Sequence, residues 1–140
     1  MSLAEKQQQL IDDYQIIEDP VERFSAIVGL GKNSKGFPES ARVDENLVPG
    51  CTSRVWLIGE VDDQNRAHFQ LDAEAPGIKG VATLLCSLYS GEPVEEIASV
   101  EPEFVSALRI DRNLTTTRLN GLHHIRKRML EIAGVPSNAP

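Results

Sequence analysis

Apolar residues at Leu3, Leu10, Tyr14 and Ile17, with Glu, Lys and Gln between them, predict an amphipathic helix over 3–17. A second helix opens at Pro20 behind Asp19 as N-cap, carries Phe24 and Val28 one turn apart, and is expected to stop at Gly31. The period is then lost over residues 32–50, a stretch of Gly, Pro, Asn and Ser that predicts a long loop of the kind usually tied to function or disorder. It returns with a step of two. RVWLIGEV (54–61) is β-branched and aromatic, DDQN (62–65) is a turn, and AHFQLDA (67–73) alternates His68, Gln70 and Asp72 against Phe69 and Leu71.

Helical spacing resumes after Pro76-Gly77, with Ile78, Val81, Ala82, Leu85, Leu88 and Tyr89 on one face and Gly91 as stop. Glu92-Pro93 opens a short helix to about Ala98, and PEFVSALRI (102–110) forms another with Phe104, Leu108 and Val105 inward. Leu119, Leu122, Ile125, Met129 and Ile132 make the stripe of a last helix, capped by Thr115 to Thr117 and ended by Gly134. The tail over 135–140 is expected to fray. Helices, a hairpin and helices again spell an α+β fold: a small antiparallel sheet with the hairpin at its centre, packed against N-terminal and C-terminal helices. The length, 140 residues, favours one domain over 1–140.

The formal net charge of −7 argues against nucleic acid, whose binding needs Lys and Arg to neutralise phosphates. The basic residues Arg109, Arg112, Arg118, Arg126, Lys127 and Arg128 fall late, as solvated helix faces or as a protein-docking patch. No apolar run approaches the roughly 20 residues that span a bilayer, so no membrane association is expected. The polar, acidic N-terminal segment is unlike a signal peptide, which predicts a cytoplasmic address.

Two cysteines, Cys51 and Cys86, are too few for a disulfide framework, and with His68, His123 and His124 they do not make a metal site. Cys86 sits among apolar helical residues and reads as core. Cys51 does not. In NLVPGCTSRVWLIGE it follows Val48-Pro49-Gly50, a type II turn in which Pro49 supplies the fixed φ and Gly50 the positive one. The thiol is thereby presented at a loop edge, where another molecule can reach it past a glycine. Arg118 or Lys79 could converge from the helices to favour the thiolate.

These residues resemble the cysteine motif of the SufE/CsdE sulfur-acceptor family, roughly Gly-Cys-x-Ser-x-Val-Trp. Gly50, Cys51, Ser53, Val55 and Trp56 stand at its positions. AEAPGIKGVATLL is similar to the family's helix opening, with Lys79-Gly80 as its Lys-Gly pair. EPVEEI resembles its short Pro-initiated helix, and LTTTRLNGLHHI its Leu-x-x-x-Arg-x-x-Gly-Leu segment, with Arg118 and Gly121 in register. The departures lie at Ala73, Glu74 and Ala75, where Ser-Asp-Ala is common, and at Pro76-Gly77, which should delay the helix start.

The resemblance implies a SufE/IscU-like fold and a persulfide carrier that is not itself an enzyme. Cys51 would take sulfur from a cysteine desulfurase (SufS/CsdA-like), stimulate it, and pass the sulfur to an iron–sulfur scaffold (SufBCD-like). It also implies no cofactor in this chain, since pyridoxal phosphate belongs to the desulfurase, and a monomer or homodimer. Pro49, Gly50 and Ser53 would shape the loop, and Glu74, Lys79 and Arg118 would support it or dock the partner. The resting thiol is expected in an apolar hollow near Trp56. Other readings of Cys51 are a thiol enzyme using His68 as base, a redox sensor, or a core residue of an interaction module. An iron–sulfur scaffold lacks its ligands.

Overall fold

The computed structural model describes residues 1–135; the expected fraying of the tail falls almost wholly outside them. Six α-helices and three strands follow in the order α1 (Leu3–Gln15), α2 (Pro20–Asn33), β1 (Val55–Val61), β2 (Arg66–Ala73), α3 (Pro76–Tyr89), β3 (Glu92–Pro93), α4 (Val94–Ser99), α5 (Phe104–Ala107) and α6 (Thr116–Ile132). The sheet is antiparallel in the order β1-β2-β3. The α+β class and the hairpin at the sheet's centre are as the sequence predicts.

Local signals set most boundaries. Ser2 and Glu5 form a reciprocal capping box on α1, and the Asp19 carboxylate accepts from the Val21 N–H at the start of α2. The turn between β1 and β2 closes with Asn65 at φ 61°, a left-handed conformation that Asn tolerates. Pro76 is the first residue of α3, so it starts that helix rather than delaying it; its missing N–H costs nothing there.

Gly31 is not a stop. α2 runs on to Asn33, and Gly31 is buried in its interior because α2 and α3 cross there in backbone contact. A Cβ on Gly31 would stand 2.7 Å from the Gly80 N, and one on Gly80 would stand 2.5 Å from the Ile27 O. Glu92-Pro93 does lead into the expected short helix, with Pro93 as its N-cap, but it is also a strand. It pairs with Ala67 and Arg66 as β3, and the short helix begins one residue later.

The core lies between the sheet and the helices, around Leu57, Phe69, Leu71, Val81, Leu85, Leu88, Ile125 and Met129. Two buried polar groups staple the helices to it. Gln7 donates to the Glu101 carbonyl and accepts from the Phe104 N–H, while Arg23 donates to the carbonyls of Tyr14, Ile17 and Leu108. Both are satisfied, as buried polar groups must be.

The segment from 34 to 47 is ordered into two short 3-10 turns, Glu39–Ala41 and Asp44–Asn46, and its work is structural. It covers the end of the sheet's second face. Asp72, on the strand's polar side by alternation, is buried there between the Lys79 ammonium at 3.0 Å and the Arg42 guanidinium at 2.6 Å. Burial works to raise the Asp72 carboxyl, but the hydrogen bonds from Lys79, Arg42 and the Ala73 N–H outweigh it and hold the group below the usual range.

Candidate functional site

The Cys51 loop is closed at its root by backbone. Leu47 bridges Trp56, and the Val48 N–H donates to the Val55 carbonyl across 2.9 Å. Residues 48–55 therefore leave and rejoin the sheet at one point, with Pro49 and Gly50 exposed at the tip and Gly50 at φ +89°. Glu74 secures the returning strand: its N–H donates to the Arg54 carbonyl, and its carboxylate accepts from the Arg54 backbone N–H and from the guanidinium at 2.8 Å. The Arg54 guanidinium also lies over the Trp56 ring, 5.4 Å from its centre.

The loop folds back onto one ridge of α6, whose start is capped by Thr115. Three residues of that ridge, three apart in sequence, each meet one part of the loop. The Arg118 guanidinium donates to Ser53 Oγ at 2.7 Å. Cys51 Sγ lies 3.7 Å from the Gly121 carbonyl, a weak S–H donor contact. The His124 imidazole sits where a side chain on Gly50 would be, with Cδ2 and Nε2 each 2.7 Å from that Cβ position.

The thiol is consequently half-buried in a hollow walled by Val55, Ile78, Thr117, Arg118 and Gly121, with only ≈ 10 Å³ of free space left. Burial pushes the Cys51 thiol above its ordinary value, and the Arg118 charge only partly offsets this. At neutral pH the seated group is a thiol, not a thiolate.

Arg118 is thus the predicted cation that reaches Cys51. Lys79 is not: its ammonium is spent on Asp72. Glu74 serves the loop root and does not line the hollow. Trp56 does not line it either. Its indole is buried elsewhere, with the Arg54 guanidinium over its ring, and the hollow forms against α3 and α6 instead.

His68 is held by Asp62 at 2.8 Å at the hairpin end of the sheet. Its pairing partner Glu60 is five residues along β1 from Val55, about 17 Å at strand spacing. Cys86 faces a different cleft, beside Phe37, Phe69 and Thr83, and burial lifts its thiol to about 12. Arg126, one of the candidate docking residues, is instead an internal clamp on the Ile97 carbonyl and the Tyr89 hydroxyl. No group of three or more potential metal ligands occurs among the described residues. His124 is half-buried at the edge of the core, and its spacing of three from Gly121 and six from Arg118 puts it on the ridge that meets the loop.

Residues 8–133 match the SufE family, described as an Fe-S metabolism associated domain. The chain belongs to the SufE family. This SufE-family chain is 35% identical over 135 residues to an uncharacterized SufE-like protein of Rhizobium etli, covering 94% of this chain and 91% of that one. It is 31% identical to SufE-like protein 1, chloroplastic/mitochondrial, of Arabidopsis thaliana, covering 91% of this chain but 34% of that protein. It is also 29% identical over 124 residues to a chloroplastic quinolinate synthase of Nicotiana tabacum, covering 86% of this chain and 17% of that one. Its fold is that of a hypothetical protein from Thermus thermophilus solved in solution, with a TM-score of 0.73 and 19% identity over 92% of this chain and 93% of the other. Membership of the family gives this chain a role in iron–sulfur metabolism.

Proposed function

We propose that Cys51 is a persulfide carrier: it accepts sulfur from a cysteine desulfurase, stimulates that enzyme by clearing its cysteine, and delivers the sulfur to an iron–sulfur assembly scaffold. The observation that carries the reading is a lone thiol at the tip of a loop rooted in the sheet, folded onto α6 by side-chain contacts that a partner can replace.

The chemistry is an exchange at sulfur. The Cys51 thiol loses its proton to solvent, and the thiolate attacks the outer sulfur of the desulfurase persulfide. A Cys51 S–S bond forms as the desulfurase's own S–S bond breaks, and its cysteine leaves as a thiolate that recovers a proton. Nothing is oxidised or reduced overall, and on this reading the chain needs no cofactor of its own. Because the seated thiol is protonated and held down, the attack follows release of the loop into the partner's site, where burial no longer opposes ionisation.

The thiol-enzyme reading lacks its base. His68 is at the far end of the sheet, and the Sγ contact is a carbonyl rather than an imidazole. A redox sensor would want a thiol of lowered, not raised, pKa. The test is desulfurase turnover measured as sulfide or alanine released. Added protein should raise it, and Cys51→Ser should remove the increase; an equal increase with Cys51→Ser would refute the role.

A further inference from the structure

Of the three contacts between the loop and α6, the one from His124 has no counterpart in the chemistry of the sulfur. Arg118 acts on charge and Gly121 receives the thiol, but His124 has no hydrogen bond to either the sulfur or the Ser53 hydroxyl. Its ring takes part in no hydrogen bond among the described residues, and it is half-buried rather than free on the helix surface. What it does is occupy space. Three atoms of the imidazole, Cδ2, Nε2 and Cε1, lie 2.7, 2.7 and 2.8 Å from where a Cβ on Gly50 would stand. Gly50 is therefore required twice: for its φ of +89°, and because the ring fills the place of its side chain.

Cys51 is the next residue along, so a backbone motion that carries the loop and its sulfur away from Gly121 also carries Gly50 off the His124 ring. We infer that His124 is a positioning residue, a latch whose imidazole seats Gly50 and thereby keeps the Cys51 thiol in its hollow. The latch sets how often the thiol is available, and its use in sulfur relay rests on the carrier reading above. An aromatic ring packed against a glycine backbone loses its contacts steeply with separation, so the hold is short-ranged and released by a small displacement.

The test is the rate at which iodoacetamide alkylates Cys51 in the full chain, followed over pH, and it needs no partner. His124→Ala should raise the rate about five-fold, the effect of losing one contact between neighbours, and move the pH midpoint toward that of a free thiol. His124→Phe, which keeps a flat ring over Gly50, should stay near the wild-type rate. Gly50→Ala should also open the loop, since its Cβ meets the ring, and the Gly50→Ala/His124→Ala pair should open it by less than the two effects combined.

Alkylation of Cys86 in a Cys51→Ser background is the control for general loosening. The latch is refuted if His124→Ala reacts at the wild-type rate, if His124→Phe reacts as fast as His124→Ala, or if His124→Ala unmasks Cys86 as well. Failure of the carrier reading looks different: no sulfur reaches Cys51 from a desulfurase, while the alkylation pattern stands.

Discussion

Arg118 donates to Ser53 Oγ across 2.7 Å, and the same guanidinium is the cation that acts on the Cys51 thiol two residues away. One side chain thus tethers the loop and favours the thiolate. These roles separate on removing it. In Arg118→Ala the midpoint of Cys51 alkylation against pH should move up, because burial then acts without an opposing charge. The limiting rate at high pH should rise, because the tether is gone. Arg118→Lys should keep the midpoint closer to wild type than Arg118→Ala does. An Arg118→Lys midpoint no closer to wild type than that of Arg118→Ala would show that the charge does not act on the sulfur.

Gly121→Ala tests the hollow. Its new Cβ would sit 3.7 Å from Cys51 Sγ and from Ile78 Cδ1, ordinary contact distances, so the thiol should remain seated. Replacing a helical Gly by Ala should stabilise the fold by about 0.5–1 kcal/mol in urea unfolding. The free space beside the sulfur is only ≈ 10 Å³, however, and the methyl would take it. A persulfide on Cys51 should then stand outside the hollow and be reduced by added thiol several-fold faster than in the wild type, as expected of an accessible S–S bond.

Gly80→Ala should be costly. Its Cβ would stand 2.5 Å from the Ile27 carbonyl oxygen, a backbone atom that can yield only if α2 and α3 part. Forced overpacking of this kind costs about 1–3 kcal/mol, read as a lowered urea midpoint. The helical gain from Ala offsets part of it. A midpoint unchanged or raised would show that the two helices are not in backbone contact.

Asp72 sets the acid limit of the loop-bearing face. Its folded carboxyl lies below its unfolded value near 3.8, so its contribution is fully present above that pH and is lost as pH falls through the lower folded value. Asp72→Asn removes the anion between Lys79 and Arg42 and should cost about 2 kcal/mol at neutral pH, with the difference from wild type shrinking as pH falls through the lowered folded value. A difference that stayed constant until the wild type itself unfolds in acid would mean the ion pairs do not carry the effect.

What could be read from the chain was what repeats locally. Helical stripes such as Ile78–Val81–Leu85 and the period of two in Phe69 and Leu71 reflect each element's own geometry, and the turn at Pro49-Gly50 announces itself by residue type. Motif order along the chain pointed to the family. What escaped depends on a second element. Gly31 resembles a helix stop until Gly80 is brought against it, and Glu92-Pro93 is a strand only because Ala67 is beside it. Asp72 belongs to the polar alternation until Arg42 covers it. Lys79 is a cation that could converge on the thiol from its helix, but the turn of α3 aims it at Asp72. His124 was missed because its partner is a glycine, which leaves no side chain from which a contact could be inferred.

Intact mass after incubation with a cysteine desulfurase and free cysteine, without reductant, tests the central claim most directly. The carrier account predicts a gain of one sulfur atom, reversed by a thiol reductant, absent in Cys51→Ala and kept in Cys86→Ala, whose thiol at about 12 is almost wholly protonated in the wild type. No gain with any of several desulfurases, from protein whose Cys51 is readily alkylated, would contradict it.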